Sequence, residues 1–108
     1  VNNKSSNPLC NQIKELIRKN LELNNKSLAN LINYHPFYIN DIFKKYEGQT
    51  LHKYIVQQRA LKAHELITTT KISLEEISLM CGFSSQSHLS TVFKSIYGIS
   101  PGQLRMQI

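Results

Sequence analysis

The chain contains no tryptophan, only two cysteines and only four glycines, and no acidic residue follows Glu76. Cys10 and Cys81 lie too far apart in sequence to form a metal-ligand pair and make no disulfide framework. Cys81 falls on an apolar helix face, where a free cysteine acts as a small core residue. The four histidines, at 35, 52, 64 and 88, have no ligand spacing, which argues against a zinc site. There is no signal peptide and no apolar run of about 18 residues, so no membrane crossing is expected. The chain also lacks an acid pair, a nucleophile–base arrangement and a glycine-rich phosphate loop, so neither catalysis nor a cofactor is expected.

What is present is positive charge and helical periodicity. The formal charge is +6 and the pI about 9.5. Residues 1–50 carry seven basic and four acidic side chains, and residues 51–108 carry six and three. An excess shared by both halves suits a protein lying along a polyanion better than one with a basic tail. At 108 residues, 41% of them apolar, the chain is long enough for one domain with a modest core.

The most informative stretch is Ile72 to Arg105. Ser73 with Glu76 three residues later reads as a capping box. The helix it opens is expected to turn Ile77, Met80 and Cys81 inward and to stop at Gly82. A second helix follows Phe83 and Ser84, with Leu89, Val92, Phe93 and Ile96 on one stripe and Gln86, Ser87, Ser90, Thr91 and Lys94 on the other face. Helix, tight turn, then a helix with one apolar and one hydrogen-bonding side is the layout of a DNA-reading helix-turn-helix.

The pattern occurs twice. At an offset of 50, Phe43-Lys44 matches Phe93-Lys94, Gly48 matches Gly98, and Ile39 and Ile42 match Leu89 and Val92. Upstream the offset is 49, pairing Leu28 with Ile77, Leu31 with Met80 and Asn33 with Gly82. The chain therefore reads as two helix-turn-helix units, the first turn one residue shorter.

Taken in order, residues 1–8 read as a linker or disordered tail and 9–108 as the folded domain. Asn7-Pro8 can cap and start a helix reaching about Leu23, with Leu9, Ile13, Leu16 and Ile17 on its stripe. Ser27 is expected to cap a short helix carrying Leu28, Ala29, Leu31 and Ile32. Pro36 starts the first recognition helix, in which Ile39, Ile42, Phe43 and Tyr46 face in. Its outward residues are Phe37, Asn40, Asp41, Lys44 and Lys45, and Gly48 ends it. The first helix-turn-helix spans about 27–48, a linking helix about 50–69 and the second helix-turn-helix about 73–98. Ser100, Pro101 and Gln103 begin a last short helix. The linking helix, roughly 20 residues at 1.5 Å each, is about 30 Å long. That is close to the roughly 34 Å between successive major-groove faces.

The string GFSSQSHLSTVFKSIYGISPGQLR resembles the C-terminal signature of the AraC/XylS transcription regulators. The earlier YINDIFKKYEGQTLHKYI…RALKAHELI resembles the first half of the same module. The resemblance covers about residues 9–106. It implies an all-α domain of about seven helices, with two helix-turn-helix units joined by a long linking helix, that activates or represses transcription in bacteria. Asn33 stands where the first turn usually has Gly, Ser78 where Ala is usual, and Ala60 replaces a larger apolar residue.

The resemblance also assigns roles to residues. Gln86, Ser87 and Thr91 face base edges; Gln pairs bidentately with adenine, and Ser or Thr meets donors or acceptors. In the first unit Phe37, Asn40 and Asp41 take the base-facing positions. Asn40 suits adenine, and Phe37 is either a thymine-methyl contact or a core residue. Asp41 has two readings: it accepts from a cytosine amine, or it weakens the grip of its unit on DNA. His35, Lys44 and Lys45, and Ser84, Ser85, His88, Ser90 and Lys94, are backbone-contact candidates. Arg59 is either a phosphate contact or a structural ion pair. The expected partner is double-stranded DNA, with RNA polymerase as a further partner. The location is the bacterial cytoplasm, at the nucleoid, and the fragment is expected to be monomeric. The chain begins at Val1 rather than Met, which suggests a fragment, and the resemblance implies a sensor or dimerisation domain ahead of it. The rival reading is a helical protein-interaction module docking RNA polymerase or that sensor domain.

Overall fold

A computed structural model describes residues 7–108, and among these it contains seven α-helices and no strand. They are α1 (Pro8–Lys19), α2 (Asn25–Ile32), α3 (Pro36–Glu47), α4 (Leu51–Thr69), α5 (Leu74–Met80), α6 (Gln86–Tyr97) and α7 (Pro101–Met106). The all-helical fold matches the expectation. The chain forms two compact units, Val1–Ile55 and Val56–Ile108, with the boundary inside α4.

In the first unit, Asn7 caps α1 by accepting the Cys10 N–H at 3.0 Å, and Pro8 is the first helical residue. The expected tail therefore ends before Asn7, and its remainder lies outside the described residues. α1 stops at Lys19, four residues short of the expected Leu23. There the Asn20 N–H bonds back to Leu16 and Ile17, and its Oδ1 accepts the Glu22 N–H, an Asx turn that competes with helix. The cap of α2 is Asn24 rather than Ser27. Ser27 is instead the third helical residue, and its hydroxyl returns the bond to the Asn24 N–H in a reciprocal capping box.

The core of this unit joins Cys10, Ile13 and Ile17 of α1, Leu28 and Ala29 of α2, Ile39 and Phe43 of α3, and Leu51 and Ile55 of α4. Tyr54 packs its ring on Phe43 at 5.3 Å, and burial beside the Glu47 carboxylate pushes its phenol up. Lys14 of α1 pairs with Glu47 of α3 at 3.1 Å.

In the second unit, Ala63, Leu66 and Ile67 of α4 meet Ile77 and Cys81, Phe83, and Leu89 and Phe93 of α6. The Ser73 half of the expected capping box forms, with Oγ accepting the Glu76 N–H at 3.1 Å. α7 carries the complete box between Ser100 and Gln103. Met80 is not inward but exposed, as is its counterpart Leu31. The buried stripe runs through Ile77, Ser78 and Cys81, and Met80 falls to one side of it. Tyr46 and Ile96, also expected inside, are exposed in both repeats, because the last turn of each recognition helix overruns its core. Val92 and Ile42 are half-buried at the core margin.

Arg105 closes the unit. Its guanidinium donates to the carbonyls of Leu66 and Ile67 in the last turn of α4 and of Thr70 and Ile72 just beyond it, tying α7 to that segment.

Candidate nucleic-acid interface

Each unit reverses its chain on one left-handed residue. Asn33 has φ 65° and Gly82 φ 87°. The Tyr34 N–H bonds to Ala29 O at 3.0 Å, and the Phe83 N–H to Ser78 O at 2.9 Å. These are the same six-residue closures, 49 residues apart, and they are the bonds of a Schellman turn. Asn replaces Gly in the first turn at little cost because its short polar side chain tolerates this conformation.

Past the turn the two units place their recognition helices by different caps. In the first, His35 Nδ1 accepts the Phe37 N–H at 3.1 Å, and Pro36 sets the first helical φ. In the second, Ser85 Oγ accepts the His88 N–H at 3.0 Å. Both helices end on a left-handed glycine, Gly48 or Gly98, whose N–H bonds to the Lys44 or Lys94 carbonyl.

On α3, Phe37 is 76% exposed, and Asp41, Lys44 and Lys45 are exposed with it. The Phe37 ring is thus a surface group rather than core. Lys45 lies over the Tyr46 ring, 5.5 Å from its centroid. Asn40 is placed differently from the outward position expected. It is half-buried, with Nδ2 donating to Pro36 O at 3.0 Å and Oδ1 accepting from Asn25 Nδ2 at 2.8 Å. Phe37, Asn40, Asp41 and Lys44 of α3, together with Asn25, Thr50 and His52, line an open hollow of about 340 Å³.

On α6, Gln86, Ser87, Thr91 and Lys94 are exposed and Ser90 is half-buried. Thr91 Oγ1 donates to Ser87 O at 3.1 Å, so its free lone pairs face outward as an acceptor. Ser84, Ser85 and His88 gather at the helix start. His88 Nδ1 lies 3.3 Å from Ser84 Oγ, and the His88 ring stands edge-on to Phe83 at 5.3 Å. Arg59, on α4, is half-buried and partnered.

Charge differs between the two faces. The α3 face carries a carboxylate, Asp41, between its aromatic and its lysines, whereas the α6 face carries no acid at all. Glu75 and Glu76 sit in the first turn of α5, where the helix dipole favours them. Among the described residues no group of His, Cys, Asp and Glu could hold a metal ion, and no helix is long and apolar enough to cross a membrane.

Two contacts have no local signature in the sequence. Arg105 bonds to carbonyls 33–39 residues away. Asn25, at the start of α2, holds Asn40 of α3.

Two repeated helix-turn-helix units, each presenting a capped helix with a polar outer face, define a double helix-turn-helix domain. The chain belongs to the AraC-type helix-turn-helix family of DNA-binding transcription regulators; the family model, described as a helix-turn-helix domain, matches residues 28–107. It is 32% identical over 108 residues to the Msm operon regulatory protein of Streptococcus mutans, covering 98% of this chain and 39% of that relative. Among solved structures it is similar to the C-terminal domain of AraT, a response regulator from Geobacillus stearothermophilus. That match has 28% identity and a TM-score of 0.88, over 94% of this chain and 87% of the other. It is also similar to a transcriptional regulator described as AraC-type DNA-binding domain-containing, from Chromobacterium violaceum. Here the identity is 29% and the TM-score 0.82, over 93% and 91% of the two chains.

Proposed function

We propose that this domain binds double-stranded DNA sequence-specifically, with α3 and α6 each reading a major-groove segment. The observation that carries the reading is the duplicated turn, in which the same closing bonds and left-handed residues set up an exposed helix in each unit. In the second unit Gln86 and Ser87 meet base edges, and Thr91 offers an acceptor to a cytosine or adenine amine. In the first, Phe37 meets a thymine methyl and Asp41 accepts from a cytosine amine. Lys44, Lys45 and Lys94, the N–H groups of both helix starts, and His35, Ser84, Ser85, His88 and Ser90 around them anchor the phosphates. Asn40, engaged on two sides, contributes through the placement of α3 as much as through a base. Arg59 acts as a structural residue of α4.

The reading includes no catalytic step. Cys81 is fully buried, and burial pushes its thiol up to about 11, away from nucleophile chemistry. A sensing or dimerisation domain in the longer regulator, a monomeric fragment, and a bacterial cytoplasmic location complete the proposal. A protein contact is favoured by one surface, the exposed Leu79 and Met80 beside Glu75 and Glu76 on α5, and RNA polymerase is the partner proposed there.

The test is a salt titration of binding to duplex DNA by fluorescence anisotropy. About five phosphate contacts would give a log–log slope of about −4 to −5. Absence of binding at low salt, or a flat slope, would overturn the DNA reading and leave the interaction module.

A further inference from the structure

The two repeats differ at the start of their first helix in a way that reaches the recognition helix. Asn25 is the first residue of α2, and its counterpart 49 residues on is Leu74, the first residue of α5. Leu74 packs against the core of its unit, with Cδ1 4.0 Å from the position a Cβ on Gly102 would take. Asn25 instead donates from Nδ2 to Asn40 Oδ1 at 2.8 Å. The counterpart of Asn40 is Ser90, so the second unit has no amide at either end of this contact.

The orientation of both amides follows from one carbonyl. Pro36 O, in the first turn of α3, is met by Asn40 Nδ2 at 3.0 Å, which fixes Asn40 with its Oδ1 toward α2. Only a donor can face that oxygen, so Asn25 must present Nδ2. Asn25 Oδ1 is thereby left buried with no hydrogen-bond partner. The chain of bonds runs from the start of α2 through Asn40, one residue before Asp41, to Pro36 in the first turn of α3, one residue before Phe37. A buried acceptor is tolerated here beside a directional polar tie, which adds to the core packing of Ile39 and Phe43 in setting the rotation of α3.

We propose that Asn25, which lies outside the recognition helix, is a positioning residue for base discrimination by the first unit, fixing through the Asn40 amide the face that α3 presents. This rests on the reading of α3 as a base-reading helix. Asn25 touches no base itself.

The second unit supplies an internal control within one molecule. The experiment is binding-site selection from a random duplex pool with the wild-type domain and with Asn25→Ala, alongside thermal unfolding of each. Asn25→Ala removes one hydrogen bond and the orphaned Asn25 oxygen but leaves the Oδ1 of half-buried Asn40 without its donor, so one unpaired acceptor replaces another and the midpoint is expected to fall by no more than about 4 °C. Discrimination at the positions read by α3 is expected to fall about fivefold, while positions read by α6 keep theirs. Asn25→Asp, which sets a carboxylate against Asn40 Oδ1, is expected to reproduce the loss. Asn40→Ala combined with Asn25→Ala is expected to be no worse than Asn40→Ala alone. Unchanged discrimination at the α3 positions in Asn25→Ala, or equal loss at the positions of both helices, would overturn the proposal. If the wild-type domain itself selects only one motif, the base-reading role of α3 fails and this inference fails with it.

Discussion

Asp41 and Thr91 hold the same place in the two repeats, each exposed and each the sixth residue of its recognition helix, and they differ in charge. Thr91 brings no charge and offers lone pairs. Asp41 brings a full negative charge toward a polyanion. Replacing Asp41 by Asn should therefore tighten binding to an unrelated duplex by roughly fivefold, about 1 kcal/mol of removed repulsion. On a site with cytosine opposite α3 it should lower the preference for that base. Anisotropy titrations against both duplexes decide this, and weaker binding of Asp41→Asn to unrelated DNA would contradict it.

Gln86 and Lys94 lie on the same helix but should fail in different ways. Gln86→Ala is expected to cost about 1–3 kcal/mol on the preferred site and to relax choice at one position, while Lys94→Ala weakens all sequences alike and shallows the salt slope by about one. A matrix of single-base variants of the selected site separates the two. Equal losses across sequences for Gln86→Ala would remove it from base reading.

Arg105 is expected to matter for stability rather than for DNA. Its guanidinium meets four carbonyls in the last turn of α4 and the segment after it, and Arg105→Met leaves them without that donor. A loss of about 2–4 kcal/mol in urea unfolding is expected. Arg105→Lys should recover little, since an ammonium cannot reproduce the planar fork. Full recovery by Lys would show that charge alone is required.

Cys10 and Cys81 are both fully buried, and burial pushes the Cys81 thiol up from its ordinary 9.0 to about 11. Native protein at pH 8 should resist iodoacetamide, with labelling only after denaturant is added. The linkage has a definite sign: the raised folded-state value stabilises below pH 9 and is lost as pH rises toward about 11. Intact-mass spectrometry reads the labelling, and rapid native modification of Cys81 would show that its core opens.

The elements with strong local signals were legible in the sequence. Pro8, Pro36 and Pro101 mark helix starts, Gly48 and Gly98 mark stops, and the Ser100–Gln103 box spans four residues, so each is written where it acts. Asn and Ser are equally good N-caps, so propensity alone does not choose Asn24 over the expected Ser27. Periodicity identified the stripes of α3 and α6 but not where the facing helix ends, which is why Tyr46 and Ile96 emerged exposed. The Asn25–Asn40 and Arg105–α4 contacts join residues far apart in sequence, and nothing in either local stretch announces its partner.

The most direct test of the account is binding-site selection from a pool of random duplexes of about 25 base pairs, long enough for two groove segments one helical turn apart. The account predicts enrichment of two short motifs separated by about one turn, selected by the isolated domain. Enrichment of a single motif would mean that the Asp41-bearing unit only anchors, and no enrichment at any salt concentration would contradict sequence-specific DNA binding altogether.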